Sequence, residues 1–308
     1  MSRLRLYIVL LCMLSATMLT AAPRQYKSAT VSHWIGLSLD GVEANALPGG
    51  EQIRIKAGGG GGGHLLYELR TGGFFFNIGV GADYIITNTA LDTYNDAFGR
   101  VDRMGEALTY RYNYSDYQEQ QRQLRLLIPL QIGYQFGDLL YAGVGVSFRT
   151  KPLMNSVSAN TRMYTQGEYE RFIEPFRDAP YYGFWPEAEY EGTSTMYSAT
   201  NELAVEAELG VNIPLNVPKL RMRAGLFFGY DLPLSKFDER EGMTLVDYSG
   251  VNTSAITQTQ QNLQENIGFN SMLDTPIAVK EAQRLRIGLR LTLLVDVTPK
   301  PKHCMCWK

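Results

Sequence analysis

Fourteen ionisable residues fall on one side of short alternating segments, and their chemistry is ion pairing rather than catalysis. The acids are Asp40, Glu68, Asp83, Glu202, Glu206, Glu208 and Asp231, and the bases are Arg70, Arg125, Arg149, Arg221, Arg223, Arg286 and Arg290. Every base is arginine, whose planar fork engages several carboxylates at once and stays charged when desolvated. An isolated buried charge is very costly, so these groups are expected to form one connected network. Glu202, Glu206 and Glu208 lie on the segment next to the one carrying Arg221 and Arg223, which predicts pairing between those neighbours.

Residues suited to bond breaking are scarce. The three histidines are His33 at the start of the first segment, His64 beside a glycine run and His303 near the carboxy terminus. Hydrolysis of lipid or peptide needs a nucleophile or activated water with a general base and an oriented acid, and no such constellation stands out. No phosphate loop, paired zinc motif or nucleotide fingerprint is present, so the expectation is a non-enzyme without a cofactor. Cys304 and Cys306 form a Cys-x-Cys pair beside His303. That pair has the chemistry to hold a metal, to form a strained disulfide in an oxidising compartment or to cross-link a docking partner.

The elements that carry the charges read as eight β-strands. From Phe74, even positions run Phe, Phe, Ile, Val, Ala, Tyr, Ile, while odd positions run Phe, Asn, Gly, Gly, Asp, Ile, Thr. Successive strand side chains point to opposite faces, so one face is apolar and the other small or polar. The same alternation marks 139–150, 203–213, 220–232 and 285–293, and less regularly 34–42, 60–70 and 124–136. Pro129 is unusual inside a sheet, and the Gly58 to Gly63 run predicts a frayed or bulged strand end. A soluble barrel buries its large apolar side chains; here the opposite face holds glycines beside charges, which suits a narrow polar lumen within lipid. The expected fold is all-β, an eight-stranded antiparallel transmembrane barrel.

Connections alternate in length. Thr71-Gly72-Gly73, Gly137-Asp138 and Asn216-Val217-Pro218-Lys219 are turn-forming, whereas 43–57, 89–123, 151–200 and 233–283 are long. Outer-membrane barrels place short turns in the periplasm and long loops outside. Strand count, turn pattern and coverage of nearly the whole mature chain resemble the small OmpA/OmpX-like barrels, with the OmpX-like form, without a periplasmic peptidoglycan-binding domain, as the expectation. Loop sizes and tyrosine content are similar to barrels of Bacteroidota. The outward loops carry Tyr110, Tyr112, Tyr114, Tyr181, Tyr182 and Trp185, candidates for a partner-facing surface because Tyr and Trp supply large contact area with few rotors. The alternative is that these aromatics pack the loops together. Alternation over 109–117 predicts a sheet that projects beyond the bilayer.

The amino terminus has the pattern of a secretory signal: Arg3 and Arg5, the apolar run Leu6 to Leu14, then small residues ending at Ala21-Ala22. The expected organisation is a signal peptide at 1–22, a barrel at 23–297 and a periplasmic tail at 298–308. Loss of Arg3 and Arg5 takes the bases from 29 to 27 against 31 acids, a balance that gives no reason to expect nucleic acid. The expected partners are outer-membrane lipid and, through loops or tail, proteins of an envelope complex. The expected activity is binding or anchoring around a salt-bridged lumen, with a narrow porin-like channel as the alternative.

Overall fold

The computed structural model describes residues 31–46, 53–101, 105–179, 184–194, 200–217, 219–234, 245–247, 268–272 and 284–299. The expected signal peptide, Tyr181, Tyr182, Cys304 and Cys306 lie outside the described residues. Among the described residues there are twelve strands: β1 (Ser32–Ala46), β2 (Ile53–Thr71), β3 (Phe74–Val101), β4 (Ala107–Phe136), β5 (Leu140–Arg149), β6 (Met154–Tyr169), β7 (Ala188–Ser194), β8 (Glu202–Ile213), β9 (Leu220–Pro233), β10 (Val246–Asp247), β11 (Gly268–Phe269) and β12 (Arg284–Asp296).

Eight of them close into an antiparallel ring, in the order β3-β2-β1-β12-β9-β8-β5-β4 and back through β3–β4. Closure leaves no strand edge in the ring, which is the condition for a sheet to cross lipid. Sequence neighbours pair through the short turns at Gly72-Gly73 and around Gly137, where all three glycines hold positive φ. Leu37, Leu39, Val80, Ile132, Leu226, Phe228, Leu289 and Leu291 point outward and are exposed, while Glu68, Asp83, Arg125, Arg149 and Asp231 point inward and are buried. A water-soluble protein has the reverse arrangement.

Two local expectations meet their physical reasons here. The glycine run is paired on both sides rather than frayed, with register shifts between Lys56 and Gly59 against β3 and between Asp40 and Glu43 against β1. A Cβ on Gly62 would sit 2.3 Å from Asp83 Oδ1, so glycine there clears space for that carboxylate, and the register shifts are the expected bulge. Pro129 lies opposite Ser147 of β5, and the β3–β4 ladder skips Gly79 and Val80 beside it. Gly79 leaves room for the ring, since a Cβ there would lie 3.2 Å from Pro129 Cγ.

Above the barrel, β3 and β4 continue as a hairpin. The upper part of β4 exchanges β5 for β6, and β6 pairs with β7. This forms a four-stranded outward sheet with its own core, to which Tyr110, Tyr112, Tyr114, Tyr117, Phe184, Trp185, Tyr190, Phe269 and Met272 contribute.

Candidate functional site

The lumen is the most heavily built part of the molecule. Glu206, on β8, lies at its centre: Oε1 accepts from Arg149 Nη2 at 3.1 Å and Arg286 Nη2 at 2.7 Å, and Oε2 accepts from Arg290 Nη2 at 3.0 Å. Arg149 also bonds Asp83 and Asp231, each at 2.7 Å. Arg286 reaches Asp231 at 3.0 Å, and Arg290 reaches Glu208 at 3.0 Å and Asp40 at 2.6 Å. One level outward, Arg125 pairs with Glu202 at 2.9 Å. These groups come from β1, β3, β4, β5, β8, β9 and β12, so the network ties the ring together across its interior. Arg290 also lies over the Phe227 ring, 4.8 Å from its centroid.

The pairing differs from the expected neighbour pattern. Glu206 and Glu208 do not take Arg221 or Arg223 of the adjacent strand. Antiparallel register sets Glu206 opposite Gly229 and Glu208 opposite Phe227, with Arg223 lower, opposite Asn212. Arg223 instead crosses the lumen to Glu68 on β2, at 2.7 and 3.1 Å, and Glu68 also bonds Arg70. Arg221 leaves the network altogether: it is exposed at the short-turn mouth, bonding Gln135 at 3.3 Å.

Sequence reading missed Arg284, which is buried and pairs with Asp231 at 3.4 Å and Glu202 at 3.6 Å. Its signal was its place two residues before Arg286, on the same face. Tyr141 was also missed, although its position on the polar face of β5 marks it; its hydroxyl donates to Glu208 Oε1. His64 is buried in the lumen, beside a gap of about 20 Å³ that Glu206 and Arg290 also line.

The outer end is capped. Glu119 is buried and accepts from Gln121 Nε2 at 2.6 Å, Ser271 Oγ at 2.8 Å and the Met272 backbone N–H at 2.6 Å. Ser271 and Met272 are thereby pinned to β4. Around this cap sit the tyrosines expected to face a partner. Tyr110, Tyr112 and Tyr114 are 5%, 1% and 2% exposed and Trp185 is 9%, so these are core residues, not an outward surface. Alternation turns them to the sheet face covered by Phe184, Leu245, Val246 and Phe269. Burial, aided by the hydrogen bond to Asp96, raises the Tyr94 pKa, and burial raises that of Tyr117 well above the ordinary phenol.

The opposite face of that sheet is polar. Asn88, Gln118, Gln120, Ser158, Asn160 and Thr193 line an open cleft of about 780 Å³, flanked by Lys56 on β2 and Glu191 on β7. Among the described residues no group of three or more His, Cys, Asp or Glu is placed to hold a metal ion.

A closed ring with an apolar exterior and a charged, buried interior has one medium that suits it. This is an outer-membrane β-barrel. No family model matches the sequence, and no curated protein matches it. Solved structures with a similar chain course include Ail, the attachment invasion locus protein of Yersinia pestis, in complex with the heparin analogue sucrose octasulfate. It is 10% identical, with 85% of this chain and 99% of that chain covered at a TM-score of 0.27. The toluene transporter TodX of P. putida is 8% identical, with 87% and 91% covered at 0.20. OmpT, an outer membrane protein of Vibrio cholerae, is 11% identical, with 86% and 100% covered at 0.12. Likeness at these scores bears on no question of function.

Proposed function

We propose that the barrel is a closed, non-enzymatic membrane base that holds the outward sheet rigidly and binds a ligand on that sheet's polar face. The observation that carries this reading is the division of the sheet into two faces: the aromatic face is consumed by its own core, and the amide and hydroxyl face is open. Amides and hydroxyls in a shallow cleft offer paired donors and acceptors with little net charge, which suits a neutral, hydroxyl-rich ligand such as a polysaccharide. The cleft begins at Asn88, two residues beyond Ile86, at a height where membrane glycolipid or a neighbouring surface would meet it. The filled lumen supports a non-conducting base rather than a channel.

The test is binding of the refolded mature protein to an array of neutral oligosaccharides, beside the variant N88A/Q120A/N160A. The proposal expects selective retention of the native protein and loss in the variant. No retention of the native protein, or equal retention of both, overturns it.

A further inference from the structure

We infer that the short-turn mouth of the barrel is a binding site for an oxyanion, a carboxylate or a phosphate group. A cavity of about 260 Å³ opens there, lined by Ser32, Arg70, Phe75, Gln135 and Arg221 together with the Gly72-Gly73 turn. Charge is uneven along the lumen. At this end Arg70, Arg221 and Arg223 share a single inward carboxylate, Glu68, which is already bonded to both Arg70 and Arg223. At the rim, Lys219 and the carboxylate of Asp296 offset each other, and Asp296 accepts from the Thr298 backbone N–H at 2.8 Å. Inside the mouth the guanidinium groups outnumber the one inward carboxylate, and Asp296, which Arg221 also acts on, lies at the rim.

The donors are also incompletely used. Arg70 is 9% exposed; its Nε goes to Glu68 and its Nη1 to Gln135 Oε1 at 3.2 Å, while Nη2 is buried with no hydrogen-bond partner. A buried orphan donor is costly, and a ligand oxygen that reaches it as the Arg70 side chain adjusts relieves that cost. Arg221 shares the same Gln135 oxygen at 3.3 Å and forms no ion pair among the described residues. Trp34 is flanked by both cations, with Arg70 at 4.9 Å and Arg221 at 5.1 Å from its ring centroid, and Phe75 supports Arg223 at 4.3 Å. These rings fix the guanidinium planes before any ligand arrives. Two positioned forks with free N–H groups in a small half-enclosed cavity recognise a planar or tetrahedral oxyanion.

The experiment is isothermal titration of the refolded mature protein in detergent at constant ionic strength, with N-acetylglycine, N-acetylglycinamide and inorganic phosphate as probes. The proposal expects saturable heat from N-acetylglycine or from phosphate and none from the amide. Preference between the two acids assigns the source, a carboxylate terminus or a phosphate-bearing group. R221Q should weaken the bound anion about tenfold or more, the scale of one lost charge-assisted bond. Arg221 lies outside the folded network, so R221Q is expected to keep heat-modifiable gel mobility. If it does not fold, the contrast between acid and amide on the native protein still decides. No saturable heat from either anion, equal heat from acid and amide, or unchanged affinity in folded R221Q overturns the inference.

Discussion

Asp40 and Arg290 face one another in the register of the first and last barrel strands, and both arms of the guanidinium grip the carboxylate, at 2.6 and 3.0 Å. This bidentate bond lies on the seam where the chain's two ends close the ring. The same arginine continues to Glu206 and Glu208, so the seam is joined to β8, two strands further round the ring. Closure of the barrel and filling of its interior are thus one arrangement of charges.

Removing the centre of that arrangement leaves cations without partners. Glu206→Leu deprives Arg149, Arg286 and Arg290 of a shared acceptor. Breaking a buried ion pair from one side costs about 3–5 kcal/mol, and that loss is the expected shift in urea unfolding followed by gel mobility. An unfolding midpoint equal to that of the native protein would show that the network contributes nothing.

The outward sheet should fail separately from the barrel. Tyr112 is 1% exposed and stacks near Tyr114 at 6.5 Å between ring centroids. Tyr112→Ala should cost the sheet about 3–5 kcal/mol, as for other buried aromatic truncations. The check is limited proteolysis: cleavage within 89–123 and 151–200 should accelerate while the folded-barrel gel band persists. Unchanged cleavage would return Tyr112 to a surface role.

Glu119 is expected to act as the clasp of the cap. Its carboxylate holds Gln121, Ser271 and the Met272 N–H, and Glu119→Ala removes the acceptor that these three donors share. Hydrogen exchange should rise at 268–272 with little change in the lower strands. Equal protection in both proteins would contradict the clasp.

Alkaline pH should open the outward sheet. Folding raises the pKa of Tyr94, through burial and its bond to Asp96, and of Tyr117, through burial and the nearby Glu119. A raised folded pKa gives stability that is whole below the unfolded phenol value of about 10 and is lost as pH climbs above it. Tyrosinate absorbance should therefore show a late-titrating group of tyrosines, and protease resistance of the sheet should fall above that pH. Uniform titration of all tyrosines near the ordinary value would contradict their burial.

The barrel was legible in the sequence because lipid imposes strict alternation: Phe74 to Thr87 separates its two faces residue by residue. Most of the charged residues were legible too, with Arg221 wrongly included because its exposed place at the strand end was not visible, and Arg284 lost by placing the strand start one residue late. Partner choice was not legible. Glu206 meets Arg149, Arg286 and Arg290 through the curvature and stagger of the ring, and periodicity carries neither. Which of the two roles the tyrosines take, partner-facing surface or loop packing, was not legible for a related reason, and burial of Tyr110, Tyr112 and Tyr114 decides for packing. Alternation groups Tyr110, Tyr112 and Tyr114 on one face, but which face is covered depends on Phe184 and Phe269 packing back from distant loops. Gly167 and Gly192 allow that approach, since Cβ atoms there would lie 2.1 Å from Phe184 and 2.2 Å from Phe269.

The central claim is that a network of paired charges closes the lumen. Single-channel recording of the refolded mature protein in a planar bilayer tests it, with heat-modifiable gel mobility as proof of folding. The account predicts folded protein with no conductance steps. Reproducible steps whose size changes in Arg290→Gln or Glu206→Gln would show that ions pass through the network, and would contradict it.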